Sequence, residues 1–125
     1  MKTQTILLIL LAHFICDFVF QTDWQAQNKS KNNKALLSHV TTYSLTMFFI
    51  LIIYTLFGWI PFNPLAVCSF ITITFVCHFI TDYFTSRINT RLREQKKVHY
   101  FFVSIGADQM YHYIQLFITF QWLFI

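Results

Sequence analysis

The chain has 125 residues, of which 56% are apolar, 20% are aromatic and only 11% are charged. A soluble domain usually carries about 25% charged residues, so this composition argues against a soluble protein and favours one that lies in a lipid bilayer. Lysine and arginine exceed the acids and give a net charge of +4. We expect no nucleic-acid partner, since the sequence contains neither a recognisable nucleic-acid-binding module nor a glycine-rich phosphate loop.

The first apolar stretch has two interpretations. A secretory signal peptide is one, because Lys2 precedes the apolar run ILLILLA. No small-residue cleavage pattern follows this run, and the stretch contains His13 and Asp17. We therefore interpret it as a retained membrane span.

Four apolar stretches predict an all-α fold that is integral to the membrane. Each is close to the ~20 residues that a helix needs to cross ~30 Å of hydrocarbon. The predicted spans are roughly residues 3–20, 35–57, 65–85 and 104–125. No connection is long enough for a second domain, so residues 1–125 are predicted to form a single transmembrane domain.

Basic residues are concentrated in the first and third connections. They are Lys29, Lys31, Lys34, Arg87, Arg91, Arg93, Lys96 and Lys97. On the opposite side we place only Lys2. The positive-inside tendency therefore predicts a multi-pass protein with both basic connections in the cytoplasm and both termini on the other side.

A short internal repeat links the two halves of the chain. HFICDF at 13–18 and HFITDY at 78–83 agree at four of six positions. Each copy lies late in the first helix of a predicted hairpin. Two helical hairpins in tandem, with the same orientation, predict a four-helix bundle with pseudo-two-fold symmetry about the membrane normal.

Histidine and aspartate recur at the spacing of one helical turn. Chance would give about 0.4 such pairs in this composition, and the sequence contains three. Residues four apart project from the same face of a helix. The pairs are His13 with Asp17, His78 with Asp82, and Asp108 with His112.

These pairs are predicted to form two adjoining layers, with the imidazoles one helical turn deeper in the membrane than the carboxylates. Asp17 and Asp82 each lie about one turn from the cytoplasmic end of a span. The fourth span runs in the opposite direction, so Asp108 falls in the same carboxylate layer. His39 of the second span reaches this level too, and all four helices then contribute to one site.

Three carboxylates without a Lys or Arg in any span require a compensating cation, because a charge deep in the bilayer costs at least ~2.5 kcal/mol. Protons, imidazolium partners or a divalent metal would compensate them, and mixed imidazole and carboxylate ligands suit zinc, iron or manganese. The alternative is that each pair only joins helices through hydrogen bonds. The predicted metal ligands are His13, Asp17, His39, His78, Asp82, Asp108 and His112.

Two further polar residues lie near the predicted ligands. Gln21 continues the helix face of His13 and Asp17, and Tyr43 follows His39 by one turn. Both could orient the ligands through hydrogen bonds. Packing between helices is an equally good explanation for them.

In these motifs the chain resembles the small bacterial and bacteriophage membrane proteins of the domain of unknown function 3307 family. The matching stretches are AHFICDFVFQTDW, SHVTTY, HFITDY and ADQMYH. The resemblance implies an integral membrane protein but no established activity. It also adds Gln109 to the groups that orient the ligands. The signature residues it implies are His13, Asp17, Gln21, His39, His78, Asp82, Asp108, Gln109 and His112.

Three functions remain open from the sequence. The first is a membrane metal-dependent hydrolase that acts on a lipid-like or other small-molecule substrate, with no catalytic residue assigned. The second is a proton or ion transporter or channel component, which would require a homo-oligomer because four helices make a narrow monomer. The third is a structural or phage lysis-related membrane protein in which the polar residues steer assembly.

Overall fold

The computed structural model describes residues 3–125, and this part of the chain is all-helical, as the sequence predicts. Met1 and Lys2 lie outside the described residues, and with them the basic residue that was predicted for the outer side. The elements are α1 (Thr3–Phe14), a π-helical segment (Ile15–Val19), α2 (Asp23–Asn28), α3 (Asn33–Leu56), α4 (Pro64–Glu94) and α5 (Val98–Phe124).

Polar caps and turn residues define the ends of the long helices. The Asn32 side chain accepts a hydrogen bond from the Lys34 amide at the start of α3. Asn63 does the same for the Ala66 amide at the start of α4. Gly58, at a φ of 70°, lies in the turn after α3, a conformation that glycine adopts without strain. Local chemistry therefore accounts for these boundaries.

The structure differs from the predicted elements on the side of the basic connections. α4 continues to Glu94, and α5 begins at Val98, so most of the third connection is helical. The first connection contains α2, which the apolar pattern did not predict because this helix is short and polar. A capping box starts it: the Thr22 side chain accepts from the Gln25 amide, and the Gln25 side chain accepts from the Thr22 amide.

The packing of the long helices separates an apolar interior from a polar one. α1 and α4 each contact both α3 and α5, and α2 packs on α3. The apolar core includes Met47, Phe70, Leu116 and Phe120, with the Phe70 and Phe120 rings 6.1 Å apart. Towards α2 the interior becomes polar. Four histidines there are at most 2% exposed, namely His13, His39, His78 and His112.

The outer surface is apolar where a soluble protein would be polar. On α4, Val76, Ile80 and Phe84 form one stripe and are 50–60% exposed. Phe49 on α3 is 62% exposed. By length and composition, α3 and α4 are the two described helices that could cross a membrane. Large contiguous apolar surfaces of this kind mark contact with lipid or with another protein.

Candidate metal centre

Four side chains from three helical segments converge at the polar end of the interior. Asp17 lies in the π-helical segment, where Phe20 N–H bonds to the Ile15 carbonyl at 3.0 Å. His39 comes from α3, and His78 and Asp82 come from α4. All four are buried, and one ligand atom of each lies within 4.8 Å of the others. A π turn inside a helix is frequent at functional sites because it changes where the next side chains point.

The distances between these atoms match the edges of a small coordination polyhedron. His39 Nε2 lies 3.0 Å from Asp17 Oδ1 and 3.3 Å from Asp82 Oδ2. His78 Nε2 lies 3.5 Å from Asp17 Oδ1 and 3.6 Å from Asp82 Oδ1. A tetrahedral zinc ion with bonds of about 2.0–2.1 Å has ligand atoms about 3.3 Å apart. The four groups could therefore hold a metal ion with little rearrangement.

Two imidazoles face each other inside this set. Nε2 of His39 and Nε2 of His78 are 3.3 Å apart. Nδ1 of each ring is buried without a hydrogen-bond partner in the described part of the chain. One neutral imidazole can donate its Nε2–H to the Nε2 lone pair of the other, so a hydrogen bond accounts for this distance. With a metal ion bound, both Nε2 atoms would instead present lone pairs to it.

A second set shares one of the carboxylates. His112 Nε2 lies 3.0 Å from Asp82 Oδ1 and 3.5 Å from Asp108 Oδ1. Asp108 also accepts a hydrogen bond of 2.6 Å from the Thr85 hydroxyl. Its side chain is 14% exposed, against 2% for Asp82. Asp108 is thus the more accessible of these two carboxylates.

His13 is buried in the cluster but lies in neither set of converging ligands. Its Nδ1 accepts from the Tyr43 hydroxyl at 2.9 Å, and its Nε2 donates to Gln109 Oε1 at 3.1 Å. The Gln109 amide in turn donates to Asp17 at 3.2 Å and to Asp108 at 3.1 Å. Both ring nitrogens of His13 therefore have hydrogen-bond partners, and His13 holds the Gln109 side chain in position.

The three residues predicted to orient ligands have different positions. Gln109 connects His13 with two carboxylates, and Tyr43 bonds to His13 while its ring lies 4.1 Å from that of His78. Gln21 lies in the turn after the π-helical segment, and its Oε1 is buried without a hydrogen-bond partner in the region covered by the structure. Its proximity to Asp17 in sequence does not become a hydrogen bond.

Lys29 also belongs to the site, although its position in a basic connection of the sequence indicated only membrane topology. Its Nζ donates to Asp82 Oδ2 at 2.8 Å and lies 3.5 Å from His39 Nε2. Burial by itself lowers the pKa of Lys29, but the charges of Asp82 and Asp17 outweigh it and raise the pKa above the ordinary value of 10.5. The ammonium therefore stays charged at neutral pH.

A helical anchor brings Lys29 to the cluster. Gln25, one turn earlier in α2, is 3% exposed and donates to the Ser38 and Thr42 hydroxyls of α3 at 3.0 and 3.1 Å. This docks α2 on α3 and directs its C-terminal end towards the cluster. The sequence carried a signal for this helix in the capping-box pattern of Thr22 and Gln25, which lies directly before Lys29.

Both ligand sets lie within the part of the chain that matches a family model. The model described as "Protein of unknown function (DUF3307)" matches residues 5–125. The chain belongs to this family. The family membership that the sequence motifs indicated is therefore confirmed. No curated protein and no solved structure matches the chain.

The charge balance of the centre in this DUF3307 chain is incomplete. In their ionised forms Asp17, Asp82 and Asp108 carry three negative charges, against one positive charge on Lys29, which is paired with Asp82. Two negative charges are left over. One divalent cation would balance them, and so would two protons on the imidazoles.

Proposed function

We propose that this DUF3307 chain is an integral membrane protein whose buried His/Asp centre binds one divalent metal ion and hydrolyses an ester bond of a lipid-like substrate. The observation that carries the proposal is the convergence of His39, His78, Asp17 and Asp82, with separations of 3.0–3.6 Å between them. One divalent cation would balance the two negative charges that Lys29 leaves uncompensated in the centre.

The distribution of side chains supports a location in the bilayer. Large apolar residues cover the outside of the long helices, among them Leu45, Phe49 and Ile53 on α3. The polar cluster lies inside. In lipid, polar side chains are placed in the interior and apolar ones face the acyl chains, whereas in water this pattern would expose much apolar surface to solvent. A membrane four-helix bundle of α1, α3, α4 and α5 accounts for both features.

The basic residues support an orientation for this bundle. Lys29 and Lys31 lie at and just after the C-terminal end of α2, and Arg91 and Arg93 lie in the last turn of α4. Under the positive-inside tendency this end faces the cytoplasm. The metal centre then lies near the cytoplasmic interface, where metal ions and polar substrates reach it from the aqueous side.

The donor set supports a transition metal. Two imidazole nitrogens and two carboxylate oxygens suit zinc, iron or manganese better than calcium or magnesium, which prefer all-oxygen ligands. A metal ion held by these ligands would supply an activated water as the nucleophile for a phosphoester or acyl ester.

Asp108 is the carboxylate left to act as the base. It lies outside the four-ligand set, and its side chain is 14% exposed. In the proposed step Asp108 takes a proton from the water, and the water oxygen forms a bond to the phosphorus or carbonyl carbon of the ester. The bond to the leaving oxygen breaks, and that oxygen receives the proton from Asp108.

The deciding experiment is elemental analysis of the protein purified in mild detergent without chelator. We expect close to one zinc, iron or manganese ion per chain, and loss of that ion in the His78→Ala and Asp82→Asn variants. The matched controls are His99→Ala and Asp23→Asn, which change exposed residues of the same types and should retain the metal. Metal-free protein, even after metal is added back, would refute the metal centre and direct attention to proton transfer.

A second arm separates metal binding from hydrolysis. Asp108→Asn keeps a side chain of the same size and leaves the four-ligand set intact. We expect this variant to retain the metal and to lose at least about 100-fold in the hydrolysis of ester substrates, in line with the contribution of a general base. Unchanged hydrolysis in Asp108→Asn would exclude this residue as the base.

A further inference from the structure

A polar cavity lies beside the candidate metal centre, between α2, α4 and α5. Its volume is about 170 Å³. At ~30 Å³ for each water molecule, this is room for about five or six waters, or for a phosphate group with a few neighbouring atoms. Its polar lining residues are Gln27, Lys29, Ser30, Ser86, Asn89, Thr90 and Arg93.

Two of these residues have hydrogen-bonding capacity that the fold leaves unused. Ser86 is 8% exposed, and its Oγ has no hydrogen-bond partner among residues 3–125. Asn89 Oδ1 likewise has no hydrogen-bond partner among these residues. By contrast, the Ser30 and Thr90 hydroxyls bond to each other at 2.8 Å. A buried polar atom without a hydrogen-bond partner is unfavourable, so Ser86 Oγ and Asn89 Oδ1 point to a ligand that pairs with them.

The charge of the cavity selects an anion. Lys29 and Arg93 line it, and no acidic side chain does so in the described part of the chain. The Lys29 ammonium already pairs with Asp82 at 2.8 Å, so Arg93 is the cation that remains for a ligand. A guanidinium presents donors that match the oxygens of a phosphate group.

One face of α4 connects the cavity with the metal centre. Asp82, Ser86, Asn89 and Arg93 follow one another at intervals of four, three and four residues, which places them on the same side of the helix. At ~1.5 Å per residue, Ser86 lies about 6 Å along the helix from Asp82. A phosphate group at Ser86 therefore lies about one helical turn from the proposed metal ligand.

An apolar cavity adjoins the polar one. Its volume is about 220 Å³, and Arg93 and Phe101 line both cavities. Val98 and Phe102 complete its apolar wall. A polar cavity that continues into an apolar one matches an amphiphile, with a charged group in the first and a hydrocarbon part in the second.

We propose that the polar cavity binds the phosphate group of a phosphate ester, with Arg93 and Ser86 donating to phosphate oxygens and Asn89 accepting from a hydroxyl of the ester. The ester is either a lipid headgroup or a soluble polyol phosphate. The further statement that this ester is the substrate of the metal centre rests on the proposed hydrolase. Binding of the ester in the cavity is independent of the hydrolase, because the proposed metal ligands do not line the cavity.

The test is calorimetric titration of glycerol 3-phosphate into the full chain in non-ionic detergent. We expect saturable binding that Arg93→Gln weakens by at least about 10-fold, because a charge-assisted pair is lost. Ser86→Ala should weaken it by about 3- to 10-fold, the effect of one neutral hydrogen bond. Arg91→Gln is the matched control for charge, since Arg91 does not line the cavity, and should change binding less than about 2-fold.

Two results would overturn the proposal. One is the absence of saturable binding to the unaltered chain. The other is an equal loss of affinity in Arg91→Gln and Arg93→Gln, which would reduce the effect to general surface charge. Ser86→Ala removes only an unpaired hydroxyl, so this variant is expected to fold and keeps the test valid if Arg93→Gln does not fold.

Further titrations identify the source of the phosphate. If phosphatidylglycerol in mixed micelles binds at least about 10-fold more tightly than glycerol 3-phosphate, the cavity is assigned to a lipid headgroup. Equal or weaker binding of the lipid would assign it to a soluble ester. In the His78→Ala variant we expect binding of glycerol 3-phosphate within about 2-fold of the unaltered chain even when the metal is lost. Loss of binding there would place the ligand at the metal centre and refute the separate cavity.

Discussion

The two copies of the internal repeat occupy equivalent positions in the sequence but have different roles in the structure. In the second copy, His78 and Asp82 both belong to the four-ligand set. In the first copy only Asp17 does, and His13 is bonded to Tyr43 and Gln109 instead. Equal local spacing therefore gives a pair of candidate ligands in one half and a candidate ligand with its support in the other.

The backbone around each copy explains this difference. The second copy lies within the regular helix α4, which continues to Glu94. The first copy passes from α1 into the π-helical segment and ends at a turn. A π turn rotates the following residues relative to a regular helix, so the two copies meet different neighbours, although the Nε2–Oδ distance within each His/Asp pair is 3.6 Å in both. Each aspartate also bonds more closely to a histidine of another helix than to its own i−4 histidine.

The largest expected difference is in the stability of the two aspartate variants. Asp82→Asn leaves the Lys29 ammonium without its 2.8 Å partner, so we expect the free energy of unfolding to fall by about 3–5 kcal/mol. Asp17→Asn leaves no paired lysine behind and should cost about 1–3 kcal/mol. Denaturant unfolding of the metal-free protein in mild detergent measures both. Glu94→Gln, at an exposed position, is the control and should change stability by less than about 0.5 kcal/mol. Equal losses in the two aspartate variants would show that Lys29 is not held by Asp82.

The two histidines of the repeat should differ in metal affinity. His78→Ala removes a proposed ligand and should weaken metal binding by more than about 100-fold, beyond the range that is usual for residues that only support ligands. His13→Ala should weaken it by about 10-fold, because it removes only the partner of Gln109. Competition with a chelator of known affinity measures both constants. If His13→Ala lost as much affinity as His78→Ala, His13 would be a ligand and the asymmetry between the copies would be absent.

An effect as small as that of His13→Ala is expected for Gln109, the residue that supports the first copy. Gln109→Leu removes the donor to Asp17 and the acceptor for His13, and should weaken metal binding by about 10-fold without removing a ligand. Gln115→Leu is the matched control, since Gln115 bonds to Thr74 and Thr119 outside the ligand sets. Metal affinity measured by the same competition should be unchanged in the control. The same loss in both variants would mean that general packing, and not Gln109, sets the affinity.

Much of the fold could be predicted because it follows from local properties of the chain. Long apolar stretches predicted the helices now seen as α1 with its π-helical extension, α3, α4 and α5. The apolar pattern does not predict the short helix α2, because this helix has no long apolar face, although its capping box is visible in the sequence. The same pattern does not predict the extension of α4 to Glu94, because that part of the chain is polar.

The residues of the candidate site were easier to predict than the contacts between them. Spacing placed Asp17, His39 and Asp82 in one layer and His78 one turn deeper, and the structure brings the four together. Lys29 was not assigned to the site, because a lysine in a basic connection is readily explained by membrane topology. Its role depends on α2 folding back onto α3, which Gln25 secures through two hydroxyls of that helix.

The sequence by itself determined which residues share a helix face, because that depends only on the 3.6-residue repeat of the helix. It did not determine which histidine bonds to which aspartate, since that depends on how each helix is rotated and packed against its neighbours. The tertiary structure decided that Asp17 pairs with His39, that His13 bonds to Gln109 and that Lys29 bonds to Asp82. Contacts between residues far apart in the chain form only when the packed helices bring them within hydrogen-bonding distance.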